Sequence, residues 1–114
     1  PIYEQIISQI KNMIMSEELV AGDSLPSMRA LAKSIHVSVI TVQRAYEELQ
    51  RDGFIETEIG RGTYVLARNK EFYKEQQQKR IEEHLQFAIE VAKENAIPLE
   101  KMMEILKILY LEEE

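Results

Sequence analysis

The chain contains no cysteine, which excludes both a disulfide framework and a thiolate metal site. Histidine is scarce too: His36 and His84 stand far apart. His84 has Arg80 and Ala88 four residues away, so it lacks the histidine or carboxylate neighbour that a metal pair on a helix needs. No apolar run approaches the ~18 residues of a membrane-spanning helix, and no charged-then-apolar leader opens the sequence. The simplest placement is cytoplasmic. Cations are in deficit, with 14 Lys+Arg against 20 Asp+Glu and a net charge of −6. The deficit is uneven: residues 1–69 carry seven cations and nine carboxylates, residues 70–114 seven and eleven. The acidic excess therefore sits mostly in the last third. Contact with a polyanion depends on where cations lie rather than on their total.

What is present is ordinary for a globular protein: 114 residues, 45% hydrophobic and 30% charged. That is enough for one modest domain and an appendage. The stretch from Ser38 to Gly53 organises the rest. A hydroxyl residue suited to cap a helix opens it, and a glycine suited to end one closes it. Val42, Ala45, Tyr46 and Leu49 recur at three- and four-residue intervals, so one face is apolar. The first turn mixes Val39 and Ile40 with Thr41 and Gln43, a combination of methyls, hydroxyl and amide that suits base edges in a major groove.

The segments before it fit the same scheme. Residues 2–15 read as an amphipathic packing helix on Ile2, Ile6, Ile10 and Met13/Ile14, ending before the Gly22-Asp23 turn signal. Pro26 holds Leu25 extended and Ser27 caps a short second helix, whose buried face is predicted to be Met28, Leu31, Ala32 and Ile35. Arg29 and Lys33 share its other face. A link at His36-Val37 then leads to Ser38, giving two helices joined by a tight turn: a helix-turn-helix. After Gly53, the strand-favouring residues Phe54, Ile55, Thr57, Thr63, Tyr64 and Val65 flank Gly60-Arg61-Gly62, which predicts a β-hairpin, the "wing" of a winged helix. Arg61 at the tip is placed for a phosphate or minor groove, having no packing use there. The glycine pair lies in a hairpin rather than between strand and helix, so it gives no nucleotide-binding loop.

The runs at Pro1–Ile6, Gly22–Ala32, Val37–Leu49 and Gly53–Val65 closely resemble the GntR family of bacterial transcription regulators. The resemblance covers roughly the first 66 residues. It implies a DNA-binding winged helix acting as a homodimer on a palindromic operator, often as a repressor. The DNA contacts it implies fall on Arg29, Ser38, Val39, Thr41, Gln43, Arg61, Gly62 and Thr63. Ser27, the cap beside Arg29, and Arg44 complete the candidate set; Arg44 and Arg51 stand between phosphate contact and pairing with Glu47, Glu48 or Asp52. Many members carry arginine after the Ser38 position, where this chain has Val39. A bidentate guanine contact is lost there, and Val39 either meets a thymine methyl or fills space. Tyr46 is assigned to the core, its hydroxyl meeting water or a phosphate.

The remaining residues, 70–114, read as a helical hairpin: one long helix to Asn95, polar all round over Glu75–Arg80, then a restart at Pro98. Its apolar positions, among them Leu85, Ile89, Leu99, Met102, Met103, Leu106, Leu109 and Tyr110, outnumber what two helices can hide from water. A second copy of the chain is the predicted cover, and the short tail resembles that of the YtrA-like branch of the family. The fold class is thus mainly α with a small β-wing, a winged helix-turn-helix domain (1–69) plus a C-terminal α-helical hairpin (70–114). No cofactor, metal or enzymatic constellation is predicted. The competing reading, favoured by the acidic balance, is a winged helix that binds another protein rather than double-stranded DNA.

Overall fold

The computed structural model describes residues 1–112 of the chain; Glu113 and Glu114, the end of the 70–114 tail, lie outside the described residues. In order, the elements are α1 (Ile2–Met15), α2 (Met28–Ile35), α3 (Val39–Arg51), β1 (Ile55–Glu58), β2 (Gly62–Val65), α4 (Lys70–Glu94) and α5 (Leu99–Leu111). Packing divides the chain into Pro1–Lys74 and Glu75–Glu114, and α4 contributes to both units.

In the first unit, α1 and α2 both pack on α3, which also meets β1. Ile6, Ile7, Ile10 and Ile14 of α1 are buried with Val42, Ala45, Tyr46 and Leu49 of α3. Ala32, Phe54, Ile55 and Val65 complete the core. Burying each large apolar side chain contributes roughly 1.5–3 kcal/mol, so the i, i+3, i+4 spacing of these residues is what dictates the three-helix arrangement. α1 ends before Gly22, as the sequence predicts. The helix stops at Met15 because Glu17 adopts a left-handed φ of 66° and Leu19 N–H reaches back to the Met13 carbonyl at 3.0 Å. Ile35, predicted to be buried, is 41% exposed; α2 keeps only Ala32 fully buried, with Met28 and Leu31 half-buried.

The hairpin is antiparallel, with Ile55 opposite Val65 and Glu58 opposite Gly62. Gly60 (φ 85°) and Gly62 (φ 82°) bracket the tip, and a Cβ at either would meet nothing within 4 Å. Backbone conformation, not space, therefore calls for glycine there. The segment leading to α2 lies along β2. Gly22 N–H donates to Val65 C=O (2.7 Å), Val65 N–H to Asp23 C=O (2.8 Å) and Leu25 N–H to Thr63 C=O (2.8 Å). The wing is thus tied to the start of the helix-turn-helix by backbone hydrogen bonds.

The first turn of α4 belongs to this unit. Tyr73 meets Phe54 edge-on with ring centroids 5.2 Å apart. The Lys11 ammonium lies 5.0 and 5.1 Å from those two ring centroids and 3.6 Å from Asp52. Lys70 pairs with Glu17 at 3.1 Å.

The second unit is a helical hairpin. α4 ends where Ala96 turns left-handed (φ 54°) and Ile97 N–H bonds the Ala92 carbonyl at 2.9 Å; α5 starts after Pro98. Ala92 is buried, and no residue of α5 is.

Candidate nucleic-acid interface

The N-terminus of α3 is built by Ser38. Its extended backbone and side-chain oxygen, which accepts the Thr41 N–H at 3.1 Å, satisfy a donor that the helix cannot. The Ser38 and Thr41 hydroxyls also bond each other at 2.8 Å. Val39 and Ile40 follow the cap and are 41% and 76% exposed, whereas Val42, Ala45, Tyr46 and Leu49 are sealed in the core. One helix therefore anchors itself on one face and offers its leading turn to solvent. Gln43 is exposed, its amide donating to Glu47 at 3.1 Å.

Arg44 departs from the expected pairing. Rather than Glu47, Glu48 or Asp52, it takes Tyr3 of α1: its guanidinium donates to the Tyr3 hydroxyl at 3.0 Å and lies 3.9 Å from the ring centroid. Arg51 pairs with Glu48 at 3.3 Å, one of the expected partners.

Ser27 caps α2 by accepting the Ala30 N–H at 3.1 Å. Arg29 is exposed, and no ion pair engages it among the described residues. The left-handed His36 (φ 58°) ends α2, with Val37 N–H closing back on the Ala32 carbonyl at 3.0 Å. Tyr46 is 1% exposed and its hydroxyl donates to the Pro26 carbonyl at 2.8 Å, not to water or a phosphate. Burial pushes that hydroxyl up to about 12. This bond and the Leu25–Thr63 pairing hold the Ser27 cap to both α3 and the wing.

At the tip of the wing, Arg61 has a packing role that the sequence did not suggest. Its guanidinium lies 3.6 Å from the Tyr64 ring centroid and 3.8 Å from Glu58, while the side chain remains half exposed. Gly62 is exposed; Thr63 is buried, its hydroxyl bonded to Thr57 at 2.9 Å. Ile59, absent from the predicted set, is fully exposed beside Gly60. Its place beside the Gly60–Gly62 pair, at the end of the hairpin, is the sequence signal for that exposure.

In the helical hairpin, Leu85, Ile89, Leu99, Met103, Leu106, Leu109 and Tyr110 are all exposed, Leu106 at 52% and Tyr110 at 78%. Met102 is half-buried. Leu85, Ala88 and Ile89 of α4 face Met102, Leu106 and Leu109 of α5 across an apolar groove. Among the described residues, no helix is long and apolar enough to cross a membrane, and no group of three or more histidines or carboxylates is placed to hold a metal.

Residues 2–65 match the sequence profile described as "Bacterial regulatory proteins, gntR family". The chain belongs to the GntR family. This GntR chain is 43% identical over 107 residues to the HTH-type transcriptional repressor YtrA of Bacillus subtilis, covering 94% of its own length and 82% of that relative. Among solved structures, it is similar to a transcriptional regulator from Oenococcus oeni, with a TM-score of 0.74 and 29% identity over 96% of this chain and 91% of the other. A GntR family transcriptional regulator from Listeria monocytogenes is similar too, at a TM-score of 0.69 and 34% identity, covering 94% and 93% of the two chains. These likenesses run into the helical hairpin, beyond the winged helix that defines the family match.

Proposed function

We propose that this GntR chain is a sequence-specific DNA-binding transcription repressor that acts as a homodimer on a palindromic operator. The observation that carries the reading is the set of exposed side chains on the leading turn of α3, Ser38, Val39, Ile40 and Gln43, held outward while Val42, Ala45, Tyr46 and Leu49 of the same helix are sealed in the core. Arg29 supplies an exposed cation that no ion pair engages among the described residues, and Ser27, Arg61 and Gly62 add a cap, a half-exposed guanidinium and an open glycine for backbone phosphates. Thr41, Thr63 and Arg44 already have intramolecular partners, so they contact DNA only by exchanging or sharing them. Residues 1–69 form the DNA-binding domain in this reading and 70–114 the dimerisation tail. The exposed apolar residues of α4 and α5 support the dimer, because a surface of that character in water needs a cover. Two-fold pairing would present two α3 helices to half-sites about 34 Å apart, one turn of the duplex. Repression is supported by the name of the B. subtilis relative.

The test is selection of bound duplexes from a random pool with the full chain, alongside light scattering for mass. Recovery of an inverted repeat by a dimer is the expected result. Within that operator, Arg61→Ala should weaken binding and reduce the slope of log affinity against log salt by about 1 per wing that contacts phosphate. The net charge of −6 favours the protein-binding alternative. Absence of any duplex binding at low salt would decide for it.

A further inference from the structure

Resting on the DNA-binding reading above, we propose that α3 reads its half-site through thymine methyl groups contacted by Val39 and Ile40, so that T·A rather than G·C pairs carry the specificity of this helix. The polar side chains around its leading turns are already engaged: Ser38 with Thr41, Gln43 with Glu47, Arg44 with Tyr3. Arg51, the other cation of α3, lies in its last turn against Glu48. What the leading turn offers without rearrangement is apolar surface on Val39 and Ile40.

In the major groove, thymine alone among the four bases presents a methyl group, and apolar side chains recognise it; guanine is read by the paired donors of an arginine or lysine. The first turn of α3 holds neither of those residues. A single exposed isoleucine needs no explanation. Two exposed aliphatic side chains directly behind a helix cap, at the end that enters a groove in a helix-turn-helix, bring apolar groups to base edges, each able to meet a thymine methyl of its own. Cytosine differs from thymine at that edge by lacking the methyl and by offering an amino donor, so the same surface discriminates against C·G pairs.

The operator recovered from the random pool provides the probe. Each thymine of a half-site is replaced in turn by uracil, which removes only the methyl, and affinity of the full chain is measured by fluorescence anisotropy at fixed salt. One or two thymines per half-site should each lose about fourfold, the equivalent of about 0.8 kcal/mol for a methyl-sized group. In Val39→Ala or Ile40→Ala, folded by circular dichroism, the matching uracil effect should vanish. Val39→Arg should shift the selected base toward guanine. Uracil effects within twofold at every position, or effects that persist undiminished in both alanine variants, overturn the proposal while leaving DNA binding intact. Failure of the native chain to bind any duplex at low salt overturns both.

Discussion

The two units of this chain spend the same kind of residue in opposite ways. In Pro1–Lys74, isoleucine, leucine and valine at helical spacing disappear into a core, and Ile14, Val42, Leu49, Ile55 and Val65 are all essentially inaccessible. In Glu75–Glu114 the same residue types at the same spacing stay exposed, and among the described residues Ala92 alone is buried. Periodicity says that a helix has an apolar side; it does not say whether the cover comes from the same chain. Three helices, α1 and α2 packed on α3, can enclose a centre. Two helices side by side leave their outer apolar faces open whatever their sequence, because each can turn only one stripe to the other. The contrast separates a unit that encloses its own core from one whose apolar surface stays exposed, the surface that the proposed second copy would cover.

Placing a charge in the apolar surface of the second unit should give the largest effect. Leu106→Asp puts a carboxylate where a partner would cover it, and desolvation of that charge opposes association. Light scattering should show the mass halved at micromolar concentration. Operator affinity should fall by about 100-fold or more, since the second half-site is no longer engaged intramolecularly. A variant that keeps native mass would show that Leu106 lies outside the interface.

The complementary cut goes into the first unit. Leu49→Ala removes a fully buried side chain and should cost about 3 kcal/mol, within the range for leucine truncation in a core. Urea unfolding should register the loss, while the mass by light scattering at native conditions stays as it was. If the mass falls as well, the two units are not energetically separable.

The same unit carries a pH signature. Tyr46 is pushed up to about 12 in the folded chain by burial, against ~10 unfolded. A folded value above the unfolded one means that stability is complete below pH 10 and declines as pH rises from 10 through 12. The full loss is about 2–3 kcal/mol. Urea midpoints between pH 8.5 and 11.5 should therefore fall, and Tyr46→Phe should remove that part of the slope while costing about 1 kcal/mol at neutral pH for the lost bond to Pro26. An unchanged slope in the phenylalanine variant would place the alkaline sensitivity elsewhere.

How much of this was legible depended on the range of the interaction. The caps Ser27 and Ser38 read directly, because each satisfies an N–H three residues away. So did the buried quartet of α3 and the apolar excess of the hairpin, since spacing along one helix is a local property. What escaped depends on residues brought together by the fold. Arg44 finds Tyr3, 41 positions away, and Tyr46 finds Pro26, 20 positions away. Leu25 joins β2 as though it were a strand, and Tyr73 closes over Phe54 and Lys11 although it belongs to a helix read as tail. Arg61 lies on Tyr64, a contact that needs the hairpin twist and rotamer to be seen. Sequence periodicity identifies faces; it does not say which side chain across a face supplies a partner for a cation or a hydroxyl.

The smallest effect offers the cleanest comparison of the two units. Each contains a helix that ends on a residue other than glycine in left-handed conformation: His36 after α2, φ 58°, and Ala96 after α4, φ 54°. Both ends are closed by an N–H reaching five residues back to an alanine carbonyl, Val37 to Ala32 at 3.0 Å and Ile97 to Ala92 at 2.9 Å. A Cβ in that conformation costs roughly 1–2 kcal/mol, part of which glycine gives back as unfolded-chain entropy. His36→Gly and Ala96→Gly should therefore each stabilise the native chain by about 0.5–1 kcal/mol. In hydrogen exchange, His36→Gly should slow opening of amides in α2 and α3, and Ala96→Gly that of α4 and α5, if each unit opens as its own cooperative block. Should either substitution protect both sets equally, the chain opens as one block, and the independence inferred from packing does not extend to its energetics.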